Sequence, residues 1–372
     1  MKAIGIILAG GNNNRMKELT AKRAVPALPV AGSFRSIDFA LSSMSNSHIQ
    51  TVAVLTQYNA RSLNEHLSSS KWWNFGRKQG GLFLFTPTVT ADNSDWYRGT
   101  ADAMYQNIDF LKRRHEPYVI ISSGDCVYKL DFNRVLDFHI EKKSDITVVC
   151  KDMMYNDDVS RFGVVRMDEE SRITEFDEKP IEALSNTIST GIYVIRRRQL
   201  IELLEAAAEE NRFDFVNDIL VRYKNVKKIY GYKINSYWNN IADIDAYFKT
   251  NMDFLRPDVR SYFFREEPTI CSKVDDLPPA KFNPGSDISN SLVSSGCIIN
   301  GSVEDSVLFK QVFVGKNTTV KNCVILNDVY IGDNVHLENC IVESRGTINP
   351  NTCYCGEDGV MIVKEKNVRY VI

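Results

Sequence analysis

Along the first 250 or so residues, short apolar runs rich in β-formers alternate with amphipathic segments of helical length. The runs Ala3–Leu8, Thr51–Leu55, Tyr118–Ser122, Ile146–Val149, Gly163–Arg166 and Thr187–Ile195 predict strands. Between them, Arg61–Leu67, Thr100–Arg113, Phe132–Lys142, Arg198–Ala208 and Val216–Tyr223 predict helices. This alternation argues for an α/β domain, Rossmann-like, with a mostly parallel sheet. In such a fold ligands gather at the carboxyl ends of the strands. Between Arg256 and Gly285 lie Pro257, Pro268, Pro278, Pro279 and Pro284, five of the eleven prolines, which read as a wrapping linker. Beyond it the apolar period changes. Leu308, Val314, Val320 and Leu326 are six apart, and after a one-residue slip Ile331 and Leu337 continue the step. A six-residue period suits neither a helix nor a simple strand. It suits a parallel β-helix of hexapeptide repeats, with one apolar residue per side pointing into a prism; the alternative is an irregular β-sandwich. Roughly four coils are expected, few enough that another chain is expected to cover a flat face. The expected organisation is a domain over 1–255, a proline-rich linker over 256–285 and a β-helix domain over 286–372.

Composition narrows the field. The 372 residues are 44% hydrophobic and 25% charged, a globular mix that excludes disordered, collagenous and coiled-coil chains. Net charge is −2 with no basic run, so no nucleic-acid partner is expected. The longest apolar stretch, Ile4–Ala9, falls far short of the ~20 residues of a membrane span, so no membrane partner is expected either. The N-terminal apolar run leads at once into Gly10-Gly11 and a polar loop, which favours a buried strand over a signal peptide. Eight scattered cysteines read as reduced thiols of a cytoplasmic protein. Only Cys353 and Cys355 are close, and that spacing matches no zinc motif.

The candidate chemistry begins where the first strand ends. Gly10-Gly11 followed by Arg15 offers backbone N–H groups and a cation to phosphates. Lys22-Arg23-Ala24-Val25-Pro26 and Phe34-Arg35-Ser36-Ile37-Asp38 follow. Further on stand Gln57-Tyr58, Trp96-Tyr97-Arg98-Gly99-Thr100, Gly124-Asp125, Phe162-Gly163-Val164, Glu178-Lys179-Pro180, Gly191-Ile192-Tyr193 and Asp245-Ala246-Tyr247. As a set, with the hexapeptide tail, these motifs resemble the bacterial glucose-1-phosphate adenylyltransferases, or ADP-glucose pyrophosphorylases, over nearly the whole chain. The resemblance implies a nucleotidyltransferase domain followed by a left-handed β-helix. It also implies synthesis of ADP-glucose and pyrophosphate from ATP and glucose 1-phosphate, for glycogen. No enzyme nucleophile is needed: the sugar phosphate oxygen attacks the α-phosphorus, and the protein aligns two anions and neutralises growing charge.

Carried over position by position, the resemblance implies a sugar-phosphate site at Tyr97, Glu178, Lys179 and Ser189, with Lys179 on the phosphate and Glu178 on sugar hydroxyls. Arg15 and Asp125 match catalytic positions, and Lys22 matches a position near the activator site. The nucleotide side departs from the family pattern. The phosphate loop Gly10-Gly11 has Asn13 where the family has a third glycine, and a side chain there obstructs close approach of phosphate. Val25 replaces a lysine. The family's two metal carboxylates are Asp125 and a residue that here is Asn240, which keeps an oxygen but loses a charge. Mg²⁺ is the cofactor the resemblance implies, and the loss of one carboxylate counts against it in this chain. Leu84–Thr90 lacks the side-chain amides with which the family reads the base. These changes cluster on one side, a pattern similar to the GlgD-type regulatory subunit. The expected role is a subunit with weak or no catalysis of its own, partnered by a catalytic GlgC-type subunit in a mixed tetramer. The alternative is an active enzyme whose pocket tolerates the changes. Two further classes are an acyltransferase using His336 in the hexapeptide region, against which the short repeat argues, and a purely structural assembly protein. Thermal stabilisation by glucose 1-phosphate, by acetyl-CoA or by neither separates these readings.

Overall fold

A computed structural model of the chain describes residues 2–11, 14–76, 80–89, 95–154 and 158–365. Ala3–Leu8 is a central strand, parallel to Thr51–Leu55 on one side and to Tyr118–Ser123 on the other. Gly81–Phe85 extends the sheet beyond Thr51–Leu55, again parallel. Ala3–Leu8 and Thr51–Leu55 are almost wholly buried, as strands covered on both faces must be, which explains their unbroken apolar runs. Thr187–Arg196 runs antiparallel to Tyr118–Ser123 and to Ile146–Asp152. The Gly163–Met167 and Ile173–Glu178 hairpin flanks it, and Ile229–Lys233 lies parallel to Ile146–Asp152, completing nine strands. One apolar layer, with Ile7, Val54, Ile120 and Phe132, packs under one face of the sheet. A second, with Ile6, Ile121, Leu200 and Phe215, packs over the other.

Three expected elements take a different form. The segment Thr100–Arg113 divides into Thr100–Gln106 and Ile108–Lys112. Asn107 breaks it: with φ −109° it leaves the helix, and its amide donates to Tyr97 Oη and to the Ala103 carbonyl, both at 2.9 Å. Val216–Val221 winds as a π-helix. The proline-rich stretch 256–285 contains a helix, Pro257–Phe264, that starts on its proline as helices tolerate. Its Phe264 stacks on Phe34 with ring centres 4.6 Å apart, so it is anchored to the first domain. The strand Lys281–Phe282, also in that stretch, already pairs with the β-helix.

The tail is a left-handed parallel β-helix whose three faces are five-stranded parallel sheets. Val314, Ile331 and Ile348 occupy equivalent positions, 17 residues per coil. Leu308, Val314, Val320, Ile325, Ile331 and Leu337 fill the interior. The slip in the six-residue step therefore falls between Val320 and Ile325, not after Leu326. The corner at Asn322 takes a left-handed conformation, φ +49°, and turns in one residue fewer. Leu326 instead joins Phe309, Val307, Val324 and Ile341 on a face covered by Tyr247, Phe248, Phe254 and Phe263 of the same chain. The cover for this face therefore comes from within the chain. Left-handed asparagines also stack at another corner, where Asn317 donates to Asn334 at 3.2 Å and Asn334 to Asn351 at 3.0 Å.

Candidate functional site

The loops after the three parallel strands converge at their carboxyl ends. Gly11 is exposed, and a Cβ on it would meet no atom within 4 Å. Gly10 lies against Gln57, 3.5 Å from where its own Cβ would stand. Asn13 falls outside the described residues. Arg15 lies in the 3₁₀ segment Asn14–Thr20, exposed, and its charge is felt at Arg161 and Asp158. Gln57 accepts the Tyr97 N–H at 3.0 Å and donates to the Tyr97 carbonyl at 3.2 Å. The Trp96–Thr100 motif is thereby tied to the first two strand ends. Gly99 is required by crowding: a Cβ there would sit 2.3 Å from the Phe213 carbonyl oxygen.

Tyr97 is a core residue, with its hydroxyl held by Asn107, and burial raises its pKa. Glu178 ends its strand opposite Gly163. A Cβ on Gly163 would lie 2.9 Å from Glu178 Oε2, so the glycine makes room for that carboxylate. Burial lifts the Glu178 pKa above the usual range, opposed by Lys179, whose Nζ lies 3.3 Å from Glu178 Oε1. Lys179 is held in the left-handed region at φ +51°, with its N–H on the Phe162 carbonyl at 3.0 Å. Ser189 is buried and contacts Tyr193 Oη at 3.3 Å. Gly191, at φ +75°, forms the irregularity that shifts the strand register between Ser189 and Tyr193. Glu178 and Tyr193 both feel Asp214, and Thr100 Oγ1 lies 3.5 Å from Asp214 Oδ2. Asp214 thus links the Tyr97 motif to Glu178, and sequence reasoning missed it. The only signal was an acidic residue between two phenylalanines that read as loop. Tyr58 and Trp96, named in the sequence only as parts of longer motifs, are exposed and stacked at 6.0 Å.

The expected metal positions do come together in the backbone. Trp238–Asn240 pairs antiparallel with Cys126–Tyr128, placing Asn240 opposite Cys126, and the Ile241 N–H donates to the Asp125 carbonyl at 3.0 Å. Their side chains do not form a cation clamp. Asp125 Oδ1 accepts from Ser123 Oγ at 2.5 Å. Asn240 Oδ1 accepts the Ala242 N–H at 3.0 Å, and Asn240 Nδ2 points to Cys126 Sγ at 3.4 Å. Mg²⁺ requires hard, largely anionic oxygens. One carboxylate beside an amide whose oxygen is already engaged does not fit it. Asp243 is no replacement, since it caps the helix Ile244–Asp253 through the Ala246 N–H at 2.8 Å and pairs with Arg161. Val25 is buried in an apolar cluster with Val127 and Ile241.

Lys22 lies elsewhere, on a cleft of about 1280 Å³ between the first domain and the β-helix. Arg23, Arg35, Lys310, Arg345 and Lys364 also line it. Arg23 crosses the cleft to pair with Glu343 and donates to Ser344 Oγ at 3.2 Å. Arg35 is buried enough to lower its pKa and donates to the Ser62 carbonyl at 2.8 Å. Among the described residues no helix is long and apolar enough to cross a membrane.

A phosphate-type glycine turn and a part-buried glutamate beside an exposed lysine at the strand ends, joined to a hexapeptide prism, define a nucleotidyltransferase-class protein. Residues 4–256 match the family described as Nucleotidyl transferase, and residues 278–362 match GlmU-like, C-terminal hexapeptide. The chain is 39% identical over 365 residues to the glucose-1-phosphate adenylyltransferase of Geobacillus stearothermophilus, covering 97% of this chain and 94% of that one. It is 39% identical over 320 residues to the enzyme of that name from Clostridium acetobutylicum, covering 85% and 84%. The Bacillus subtilis (strain 168) protein is 36% identical over 322 residues, covering 86% and 84%. The chain belongs to the glucose-1-phosphate adenylyltransferase family.

Proposed function

We propose that this chain is a modulatory subunit of an ADP-glucose pyrophosphorylase in cytoplasmic glycogen synthesis. In this reading it binds glucose 1-phosphate, is a poor catalyst alone, and works beside a catalytic subunit in a mixed tetramer. The observation that carries the reading is Asn240. At the position of the second metal carboxylate stands an amide whose oxygen serves the Ala242 N–H and whose nitrogen faces a thiol. Val25 supports it: where a phosphate-binding cation is expected, the chain buries an isopropyl group in its core.

On the sugar side, Lys179 offers its ammonium to the phosphate and Glu178 accepts from sugar hydroxyls. Ser189 and Tyr97 shape the wall, and Asp214 adds a second carboxylate. Gly10, Gly11 and Arg15 remain as the nucleotide loop, and Asp125 as the one carboxylate facing it. Lys22, in a cleft whose cations outnumber its carboxylates, receives an anionic effector.

The second reading, an enzyme active alone, is favoured by the 97% coverage at 39% identity to a relative with that name. Steady-state ADP-glucose synthesis by the isolated chain separates the two. Each lost charge-assisted contact typically costs about 10²–10³ in rate, and the losses act on one transition state and do not add. Asn240→Asp alone therefore recovers little, and Asn240→Asp with Val25→Lys and Asn13→Gly recovers measurably more. A wild type turning over at an ordinary rate (about 10 s⁻¹) overturns the proposal.

A further inference from the structure

The outer surface of the last coils holds a set of donors that the sugar and nucleotide sites do not use. Strand His336–Glu338 lies parallel to strand Cys353–Cys355, one coil later, with His336 opposite Cys353 and Glu338 opposite Cys355. Leu337 points into the prism, so the residues on either side of it point outward, as do their partners flanking Tyr354. Two strands thus present an imidazole, a carboxylate and two thiols at the corners of one small patch. Three of the donor atoms converge, and the fourth, Cys353 Sγ, adjoins one of them. His336 Nε2 is 3.5 Å from Glu338 Oε2, and the sulfurs of Cys353 and Cys355 are 3.6 Å apart. The ligand atoms of His336, Glu338 and Cys355 all lie within 4.8 Å of one another.

From this geometry we infer that His336, Glu338, Cys353 and Cys355 form a surface site for a thiophilic divalent cation of the Zn²⁺ class. A tetrahedral Zn²⁺ with bonds of about 2.3 Å to sulfur and about 2.0–2.1 Å to nitrogen and oxygen has edges of roughly 3.7 Å between sulfurs and 3.3 Å between nitrogen and oxygen. Both observed separations lie close to those edges. Two thiols with an imidazole select Zn²⁺ over the hard cations Mg²⁺ and Ca²⁺. The neighbouring ammonium does not occupy the patch: Lys321, beside Glu338 on the preceding coil, lies 3.8 Å from Glu304 on its other side. A disulfide is the poorer use of the two cysteines. Residues two apart on one strand have Cα atoms about 6.6 Å apart, at the outer limit for a disulfide. The backbone is fixed by the ladder, with the His336 N–H on the Thr352 carbonyl and the Gly356 N–H on the Glu338 carbonyl, both 3.0 Å. Binding releases the thiol protons to solvent and staples the final coil to the one before it. The Cys-x-Cys spacing gave no zinc signature because the other two ligands come from 17 residues earlier.

The test uses the full chain, reduced and stripped of metal, titrated with Co²⁺ as an optical probe. The expected result is one Co²⁺ per chain, with thiolate-to-metal charge-transfer absorption and tetrahedral d–d bands that Zn²⁺ abolishes. Zn²⁺, but not Mg²⁺, raises the melting temperature. Cys353→Ser with Cys355→Ser removes the charge-transfer band. His336→Asn, which keeps both thiols, weakens binding more than about tenfold. Cys271→Ser, at the other exposed cysteine, changes nothing. Circular dichroism checks that each variant is folded, and the His336→Asn result decides the matter if the double variant is not. No charge-transfer band in the wild type, a band that survives the double substitution, or full affinity in His336→Asn overturns the inference.

Discussion

Asn240→Asp restores a carboxylate beside Asp125, and its effect can be worked from one sulfur atom. Cys126 Sγ lies 3.5 Å from Asp125 Oδ1 and 3.4 Å from Asn240 Nδ2. A carboxylate oxygen in place of that nitrogen therefore stands no more than about 7 Å from Asp125, a repulsion of at least about 2 kcal/mol at an effective dielectric constant near 20. The exchange keeps the acceptor for the Ala242 N–H, so the backbone has no separate reason to move. In chelator, the variant should melt lower than the wild type by roughly 4–8 °C, on the scale of a domain of about 250 residues. Mg²⁺ bridging two carboxylates should close or reverse that gap, whereas the wild type, with one carboxylate, should not respond. Thermal unfolding of both proteins in chelator and in Mg²⁺ reads this directly. Equal Mg²⁺ stabilisation of wild type and variant would refute the reasoning, because the native pair would then already bind the ion. So would a variant indifferent to both conditions, because its carboxylates would then not face each other.

Glu178→Gln should weaken glucose 1-phosphate binding about 10–100-fold by calorimetry, through loss of charge-assisted bonds to hydroxyls, without loss of stability at neutral pH. Burial raises the Glu178 pKa above 4.5, so the folded state holds the proton more tightly than the unfolded one. Its contribution therefore improves as pH falls through the folded pKa toward 4.5, and the variant should lose that part of the pH dependence of unfolding. Gly99→Ala should cost about 1–3 kcal/mol in denaturant unfolding, because its Cβ meets the Phe213 carbonyl; a cost near zero would show that the segment yields freely. Arg23→Ala breaks the part-buried ion pair to Glu343 across the cleft, and should cost about 3 kcal/mol and raise hydrogen exchange on both sides of it.

Fold class was legible because both periodicities are strong. Central strands such as Thr51–Leu55 are buried on both faces and read as solid apolar runs. The helix Ser36–Asn46 was invisible for a related reason. It is buried from Ser36 to Met44, so no polar face marks its period, and Ser36, Ser42 and Ser43 in its core are not a helical signature. The hexapeptide step was legible, but its slip was placed one step too late, because Leu326 was read for Ile325. Ile325 and Leu326 are both apolar and both fully buried, one in the prism and one against the first domain, and hydropathy cannot tell two cores apart. At the site, the motifs supplied the residue names and the structure supplied their partners. That Asn240 spends its oxygen on Ala242 is a statement about side-chain direction, which no spacing encodes. Asp214 and the His336–Cys355 patch escaped because they depend on contacts across long stretches of chain.

The distribution of strain gives a physical reason for the uneven changes. A site built for a metal–triphosphate complex must hold like charges close together before the ligand arrives, at a cost of kcal/mol each. On the proposed nucleotide side that cost would be absent: Val25 adds to the core, and Asn240 satisfies a backbone N–H. On the proposed sugar side costs remain. Lys179 is a non-glycine residue in the left-handed region, and Glu178 is a carboxylate whose burial works against its charge. Gly163 is kept free of the Cβ that would crowd Glu178. Strain of this kind persists only where the surroundings impose it, at the corners of the β-helix as at Lys179. On the proposed reading, selection has relaxed the half of the site that no longer meets its ligand, while the costly half still binds a sugar phosphate.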